Sequence, residues 1–285
     1  MASCEAKVLS GLMTGVYSLD DIDNIQDVDF TDGAGYSLLM TACRYGHYNA
    51  VVKLINKGAN VNFRSNDGTT PLDVAILTPH LKCAEYLIEH GADIASEDLT
   101  GTTPLMRASQ LGHVDIVKMC IDRKANINKA NLRGRTPLIF AAANGREQVA
   151  SLLIRAGAYV NHRDIHGRTA LIEASQNNNE NIIRQLVFVG ADLNAVTKNG
   201  YTALSQAIIS QKHDIVKLLI DLGADVNTGE NSILAMSIRL SNPATTHLII
   251  PRSSAKNLIL GLVEVVKIVT NNVVNFCLVW IRALF

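Results

Sequence analysis

A glycine recurs every 33 residues through most of the chain, and this spacing constrains the fold more than any other feature. The glycines are Gly35, Gly68, Gly101, Gly134, Gly167 and Gly200. An alanine column keeps the same period at Ala42, Ala75, Ala108, Ala141, Ala174 and Ala207. No insertion or deletion interrupts these six copies. A unit of this length cannot bury an apolar face by itself, so we expect the copies to stack as a solenoid.

Each copy carries the signals of a turn followed by two short helices. The glycine supplies the positive φ that a tight turn needs. Thr-Pro-Leu follows it in three copies, where threonine can accept N–H groups at a helix start and proline suits the first helical position. A further glycine, at positions 46, 112 and 145, ends the first helix. Pro79 replaces this glycine in one copy, so we expect a distorted helix junction there.

The motifs Gly-x-Thr-Pro-Leu and Gly-Ala-Asp-Val-Asn resemble the ankyrin repeat, and the resemblance covers residues 32–229. It implies an all-α fold, an ankyrin-repeat solenoid of helix–loop–helix units with short β-hairpin loops. We expect an N-terminal capping half-repeat at 1–31 and an ankyrin-repeat domain at 32–250, with six full repeats and an eroded C-terminal repeat. In this division, residues 251–285 form an apolar C-terminal helical tail.

Composition and motifs argue against catalysis, metal binding and secretion. The 26 basic and 26 acidic side chains cancel, which is untypical of a nucleic-acid-binding protein. Five scattered cysteines without a Cys-x-x-Cys pair exclude a disulfide framework and a zinc module, and indicate a reducing compartment. His47, His80 and His113 share one repeat position, which indicates a structural role. We therefore expect a non-enzymatic protein of the cytoplasm or nucleus, not secreted, with no catalytic residue, cofactor or metal.

The side chains beside the turn glycine are not constrained by the framework, so a partner would be recognised there. In the ankyrin fold these hairpin tips border a concave groove together with the first helices. Basic side chains gather on three adjacent tips, with apolar and aromatic side chains between them. We predict that this basic stripe binds an acidic segment of a protein partner. Its members are Leu132, Arg133, Arg135, Arg163, Ile165, His166, Arg168, Lys198 and Tyr201.

A plainer interpretation of the same charges stays open, in which they only keep the surface soluble. Substitution separates the two interpretations. If the stripe binds a partner, Arg133→Glu combined with Arg168→Glu abolishes binding. We expect the melting curve of that variant to stay nearly unchanged, because hairpin tips lie outside the core. No nucleic-acid partner is expected.

The apolar tail leaves three alternatives open. In the first, the tail packs onto the last repeat. In the second, it inserts into a groove of a protein partner. A specific form of this alternative is that the tail resembles the first helix of a suppressor-of-cytokine-signalling box, through Val273, Cys277, Ile281 and Arg282. The chain would then be a substrate receptor of a ubiquitin ligase that binds elongin C. In the third, the tail touches a membrane, although its longest charge-free run, 268–281, contains three asparagines, which disfavours a full span.

Overall fold

The computed structural model describes residues 3–78 and 80–229, together with Ile233, Thr246, residues 249–254 and Lys267. Within these residues the regular structure is helical. The α-helices, numbered in chain order, are α1 (Cys4–Thr14), α2 (Leu19–Asp23), α3 (Leu38–Tyr45), α4 (Tyr48–Asn56), α5 (Pro71–Leu77), α6 (Leu81–Glu89), α7 (Pro104–Leu111), α8 (Val114–Asp122), α9 (Pro137–Ala143), α10 (Glu147–Arg155), α11 (Ala170–Gln176), α12 (Glu180–Phe188), α13 (Ala203–Ile209) and α14 (His213–Asp221). A 3₁₀ turn follows at Ile250–Arg252.

From α3 onwards, the helices in the described ranges form six pairs, each displaced by 33 residues from the last. The prediction of an all-α fold built from repeated helix pairs is therefore confirmed. The turns that precede the pairs are closed by hydrogen bonds, such as that from the Asp164 N–H to the Arg168 carbonyl at 2.9 Å. The only β feature in the described ranges is an isolated antiparallel bridge between Thr31 and Ser37. The expected β-hairpins are therefore tight turns without strands.

The chain divides into two compact units. The first comprises the described residues of Met1–Ala141 and Gln148–Tyr159, and the second comprises those of Ala142–Glu147 and Val160–Phe285. In the first unit α1 packs against α3, and α3, α5 and α7 pack in that order. In the second unit α11 packs against α13. First helices of consecutive repeats therefore contact one another within each unit.

Threonine begins the first helices from α5 onwards, as the sequence predicts, and Ser37 begins α3. The Thr70 hydroxyl accepts the Asp73 N–H at 3.2 Å, and the Asp73 carboxylate accepts the Thr70 N–H at 3.0 Å, which completes a capping box. Thr103 and Thr169 cap α7 and α11 through their hydroxyls. A cap of this kind contributes about 1 kcal/mol. Since the first helices have only seven or eight residues, they depend on such caps and on packing.

Left-handed residues end most of the first helices. Gly46 ends α3 with φ 73°, as predicted. Asn178 and Gln211 take the equivalent place later in the chain with φ 64° and 55°, so the position does not require glycine. Pro79, where we expected a distorted junction, lies outside the described residues. Thr78 before it is extended, with φ −102° and ψ 162°, because a following proline disfavours helical backbone.

Alanine and leucine columns form the core. The alanines of the predicted column are fully buried: Ala42, Ala75, Ala108, Ala141, Ala174 and Ala207. Their small side chains let neighbouring helices approach closely. One leucine in each of five second helices is also fully buried: Leu54, Leu87, Leu153, Leu186 and Leu219. Each such leucine stabilises the fold by about 1.5–3 kcal/mol relative to an exposed one.

Asparagines at the ends of repeats join one repeat to the next. The Asn62 side chain donates to the Gly91 carbonyl at 3.1 Å and accepts the Asp93 N–H at 2.7 Å. Asn128 and Asn161 form the same pair of bonds with the repeat that follows each of them. These side chains satisfy loop backbone groups that the helices leave unpaired.

Asn227 forms the same two bonds beyond α14. Its side chain donates to the Arg252 carbonyl at 3.1 Å and accepts the Ser254 N–H at 2.6 Å. The donor and acceptor residues are 25 positions apart for Asn227 and 29 apart for Asn62. Residues 252–254 therefore contact Asn227 as the loop of a following repeat would, but four positions earlier in the sequence. The predicted eroded repeat before these residues lies largely outside the described residues and stays a prediction. Most of the predicted tail, including Val273, Cys277, Ile281 and Arg282, lies outside the described residues.

Candidate functional site

The tips are tight turns, and within each unit a backbone hydrogen bond holds one tip against that of the next repeat. In the second unit, the Lys198 N–H donates to the His166 carbonyl at 2.9 Å. Gly167 lies between them with φ 77°, and a β-carbon at this position would approach the Lys198 nitrogen to 3.1 Å. Glycine therefore suits both the backbone conformation and the close contact. In the first unit, the Leu132 N–H donates to the Thr100 carbonyl at 3.0 Å in the same arrangement.

The first unit displays an apolar side chain and a cation on one tip. Leu132 is 74% exposed, and Arg133 beside it is exposed. Arg135 is half-buried, and its guanidinium lies over the Phe140 ring, 5.7 Å from the ring centroid. Leu99 is 71% exposed, although the predicted stripe does not include it. It occupies the position of Leu132 one repeat earlier, so the repeat register could have identified it.

Arg163 contacts its own chain. Its guanidinium donates to the Val196 carbonyl in the next repeat of the second unit. In the first unit, Arg64 does the same, donating to the Glu97 carbonyl at 2.7 Å. The two arginines share one repeat position, and each reaches the residue 33 positions ahead. An arginine at this position therefore joins adjacent repeats.

Arg168 forms an ion pair with a buried carboxylate of α11. Its guanidinium lies 3.2 Å from the Glu173 carboxylate, whose side chain is 4% exposed, and 3.4 Å from the side-chain oxygen of Gln176. A buried carboxylate is costly without an opposite charge, so Arg168 stabilises the fold. The expectation that Arg168→Glu leaves the melting curve unchanged assumed that the tips have no contact with the core. The ion pair with the buried Glu173 contradicts this assumption, so we expect Arg168→Glu to lower the melting temperature.

Three other members of the stripe are exposed in the second unit. Ile165 is 45% exposed, and His166 and Lys198 are exposed as well. Within the described ranges, neither the His166 nor the Lys198 side chain has a hydrogen bond or ion pair. Tyr201 is half-buried, and its N–H donates to the Thr197 hydroxyl at 3.0 Å. Within the stripe, the second unit therefore offers one exposed lysine, one exposed histidine and one exposed apolar side chain.

A charge network that the sequence did not reveal joins two repeats of the first unit. The Arg107 guanidinium lies 3.0 Å from the Asp73 carboxylate and 2.6 Å from that of Asp98. Burial raises the pKa of Asp73, although Arg107 opposes the shift. At Asp98 burial is outweighed by hydrogen bonds, chiefly from Thr100, so its pKa is lowered. Because the three charged groups bind one another, the network has a structural role.

Two of the three repeated histidines, His47 and His113, form structural hydrogen bonds, whereas no such bond is formed by His80 among the described residues. Nε2 of His47 is hydrogen-bonded to the Leu12 carbonyl and Nε2 of His113 to the Ile76 carbonyl, both at 2.9 Å. Each ring therefore ties the start of a second helix to an earlier helix. Among the described residues, no group of three or more His, Cys, Asp or Glu side chains could hold a metal ion. None of the helices that the structure describes combines the length and apolar character that a bilayer crossing requires.

Comparison with known protein families identifies the class of the chain. The family "Ankyrin repeats (3 copies)" matches at residues 7–98, 95–164 and 160–230. These matches cover well over half of the sequence, so the chain belongs to the ankyrin-repeat family. Ankyrin repeats are generally protein–protein interaction modules, which agrees with exposed side chains on a framework of repeated helix pairs. No curated protein matches the sequence significantly.

Proposed function

We propose that this chain is a non-enzymatic protein-interaction module, or adaptor, which binds an acidic segment of a partner through exposed side chains on its tips. The observation that carries the proposal is that some cations of the basic stripe are bonded within the chain, whereas others are exposed and, in the part of the chain that the structure describes, unpaired. Arg163 and Arg168 are bonded to their own chain. Arg133 in the first unit and Lys198 in the second are exposed, and within the described ranges neither side chain has an ion pair.

An exposed cation that has no internal partner can bind a carboxylate without breaking any bond of the fold. Each unit also places an exposed apolar side chain near such a cation, Leu132 in the first unit and Ile165 in the second. An apolar contact flanked by polar ones is the usual composition of a protein interface. The whole chain has a net charge of zero, so orientation of an acidic partner would depend on these local charges.

We include location in the cytoplasm or nucleus in this proposal. Cys43, Cys83 and Cys120 are buried free thiols, which fits a reducing compartment. The two alternatives, a substrate receptor of a ubiquitin ligase and a membrane-associated protein, depend on the tail beyond residue 254. Apart from Lys267, the tail lies outside the described residues, and the proposal does not use it.

A capture experiment tests the proposal. The full chain and its Arg133→Glu, Lys198→Glu double variant are each used to capture proteins from an extract of the source cells. Because both side chains are exposed, we expect equal melting temperatures, and loss of the principal captured protein from the variant. A second variant, Arg133→Lys with Lys198→Arg, keeps both charges and is expected to retain that protein.

A matched control distinguishes tip binding from net charge. Arg123→Glu with Lys217→Glu makes the same charge change at exposed positions, next to the end of α8 and within α14. We expect this control to retain the captured protein. Equal loss in the control, or full retention in the tip variant, would show that the tips do not carry recognition.

A further inference from the structure

A cleft between the second helices of the first two repeats carries a different chemistry. It is lined by Tyr48 of α4 and by Lys82, Glu85, Tyr86 and Glu89 of α6, and it has a volume of about 450 Å³. This volume lies within the range of pockets that hold small ligands or large side chains. All five residues belong to the first unit and to second helices, whereas the tip residues precede the first helices.

Two tyrosines form a corner of this cleft. The Tyr48 and Tyr86 rings are 5.7 Å apart between centroids and inclined at 80°. His90 stacks on Tyr86 with a centroid distance of 3.8 Å and an angle of 25°. Nδ1 of His90 is also hydrogen-bonded to the Tyr86 carbonyl at 2.8 Å. This bond and the ring stacking together fix the His90 ring against Tyr86. His90 therefore covers one face of Tyr86, and an uncovered tyrosine face attracts cations because it is electron-rich.

Two carboxylates complete the lining. Glu85 and Glu89 are four residues apart on α6 and therefore lie on the same face of the helix. Lys82 also lines the cleft, which leaves an excess of one negative charge among the three ionised groups. Within the described ranges, neither carboxylate forms an ion pair, with Lys82 or with any other side chain. Both are therefore available to a cation from outside.

We propose that this cleft binds an arginine side chain of a protein partner. A guanidinium is planar, so it can stack on a tyrosine ring and pair with a carboxylate through two parallel N–H bonds. A lysine ammonium is a compact point charge that lacks this planar geometry. The perpendicular tyrosines and the two glutamates supply both kinds of contact in one cleft.

The next repeat shows that these residues are not part of the ankyrin framework. One period further along, Tyr48 is replaced by Leu81 and Tyr86 by Met119. Glu85 is replaced by a lysine and Glu89 by an aspartate. Lys82 is replaced by Asp115, which forms an ion pair with Lys118 at 3.3 Å. The neighbouring pair of second helices therefore lacks the aromatic corner, and its two carboxylates, Asp115 and Asp122, are seven residues apart instead of four.

Peptide binding to the full chain tests this assignment. The probe is a fluorescent helical peptide with two arginines four residues apart, matching the spacing of Glu85 and Glu89. Its control contains citrulline at both positions, which keeps the shape and removes the charge, and a third peptide contains lysine. Fluorescence anisotropy is expected to show saturable binding of the arginine peptide, and binding at least about tenfold weaker for the other two.

Variants of the cleft assign the binding to these residues. Glu85→Gln with Glu89→Gln, and separately Tyr48→Ala, are each expected to weaken binding of the arginine peptide by about tenfold or more, whereas Tyr48→Phe keeps the ring and the affinity. Asp115→Asn with Asp122→Asn removes the same charge from α8 and is expected to change the affinity by less than about twofold. Absence of saturable binding, equal affinity for the lysine or citrulline peptide, or an equal loss in the α8 variant would overturn the proposal.

Discussion

An arginine at a repeat tip can serve the fold or a partner, and the groups within its reach decide which. Arg168 reaches a buried carboxylate five residues further along, at Glu173, and Arg135 reaches an aromatic ring at the same separation. Arg133 has no such contact among the described residues. The sequence could place these cations beside a turn. It could not predict their contacts, because those depend on which side chain occupies the facing position of the first helix.

Removal of the Arg168 charge is expected to destabilise the protein. Arg168→Met removes the ion pair between Arg168 and the buried Glu173, which costs about 1–2 kcal/mol after allowance for the partial exposure of Arg168. Arg133→Met, at an exposed position of the preceding tip in the sequence, is expected to lower the free energy of unfolding by less than about 0.5 kcal/mol. Denaturant unfolding of the two variants checks the difference. Equal stabilities would mean that the Arg168–Glu173 pair does not contribute.

The N-terminal region should show a pH dependence that arises from Glu5. Its carboxylate accepts the Gln26 N–H at 2.8 Å, and backbone hydrogen bonds, chiefly this one, lower the pKa of Glu5 to about 2. The folded state therefore favours the ionised form, so its contribution is complete above the unfolded value of 4.5 and is lost as the pH falls towards 2. We expect Glu5→Gln to lower the melting temperature at neutral pH.

Thermal melts over a pH series check this expectation. The difference in melting temperature between the wild type and Glu5→Gln is expected to narrow as the pH falls from 4.5 towards 2. A difference that stays constant across this interval would show that Glu5 does not stabilise the fold through its charge.

Helices in this protein are short, and what could be predicted about them follows from repetition. The alanine column recurs in every copy, and the threonine caps and the glycines that end first helices recur in several, so the pattern reveals them. The segment at 1–31 lacks that pattern. It was expected to be a capping half-repeat, and it contains two helices, α1 and α2, whose starts are capped by Ser3 and Ser18. Family matching begins at residue 7, within α1.

Packing between first helices provides a test at the scale of elements. Ala108 is fully buried on α7, which packs against α5. Ala108→Leu is expected to overpack this contact and to destabilise the protein by about 1–3 kcal/mol. Asn49→Leu introduces the same side chain at an exposed position of α4 and is expected to have little effect. If denaturant unfolding gave equal stabilities, the alanine column would not lie between repeats.

Across the whole molecule, the class of function was easier to predict than the residues that carry it. Many positions agree in every repeat, so the family is evident from the sequence, and with it a general role in protein interaction. The available side chains form a smaller set, because several cations of the predicted stripe are bonded within the chain. The proposed tip and cleft sites differ in the charge they select, so one chain could bind an acidic and a basic segment.

Salt dependence of partner binding tests the tip proposal most directly. The dissociation constant of the captured protein is measured for the wild type and for Arg133→Glu with Lys198→Glu, from about 50 to 500 mM salt. Exposed charges are screened over about 8 Å at physiological ionic strength, so wild-type affinity is expected to fall steadily across this range. The variant is expected to bind more weakly at low salt and to show a shallower dependence. The same affinity and the same salt dependence in both proteins would contradict recognition by the tips.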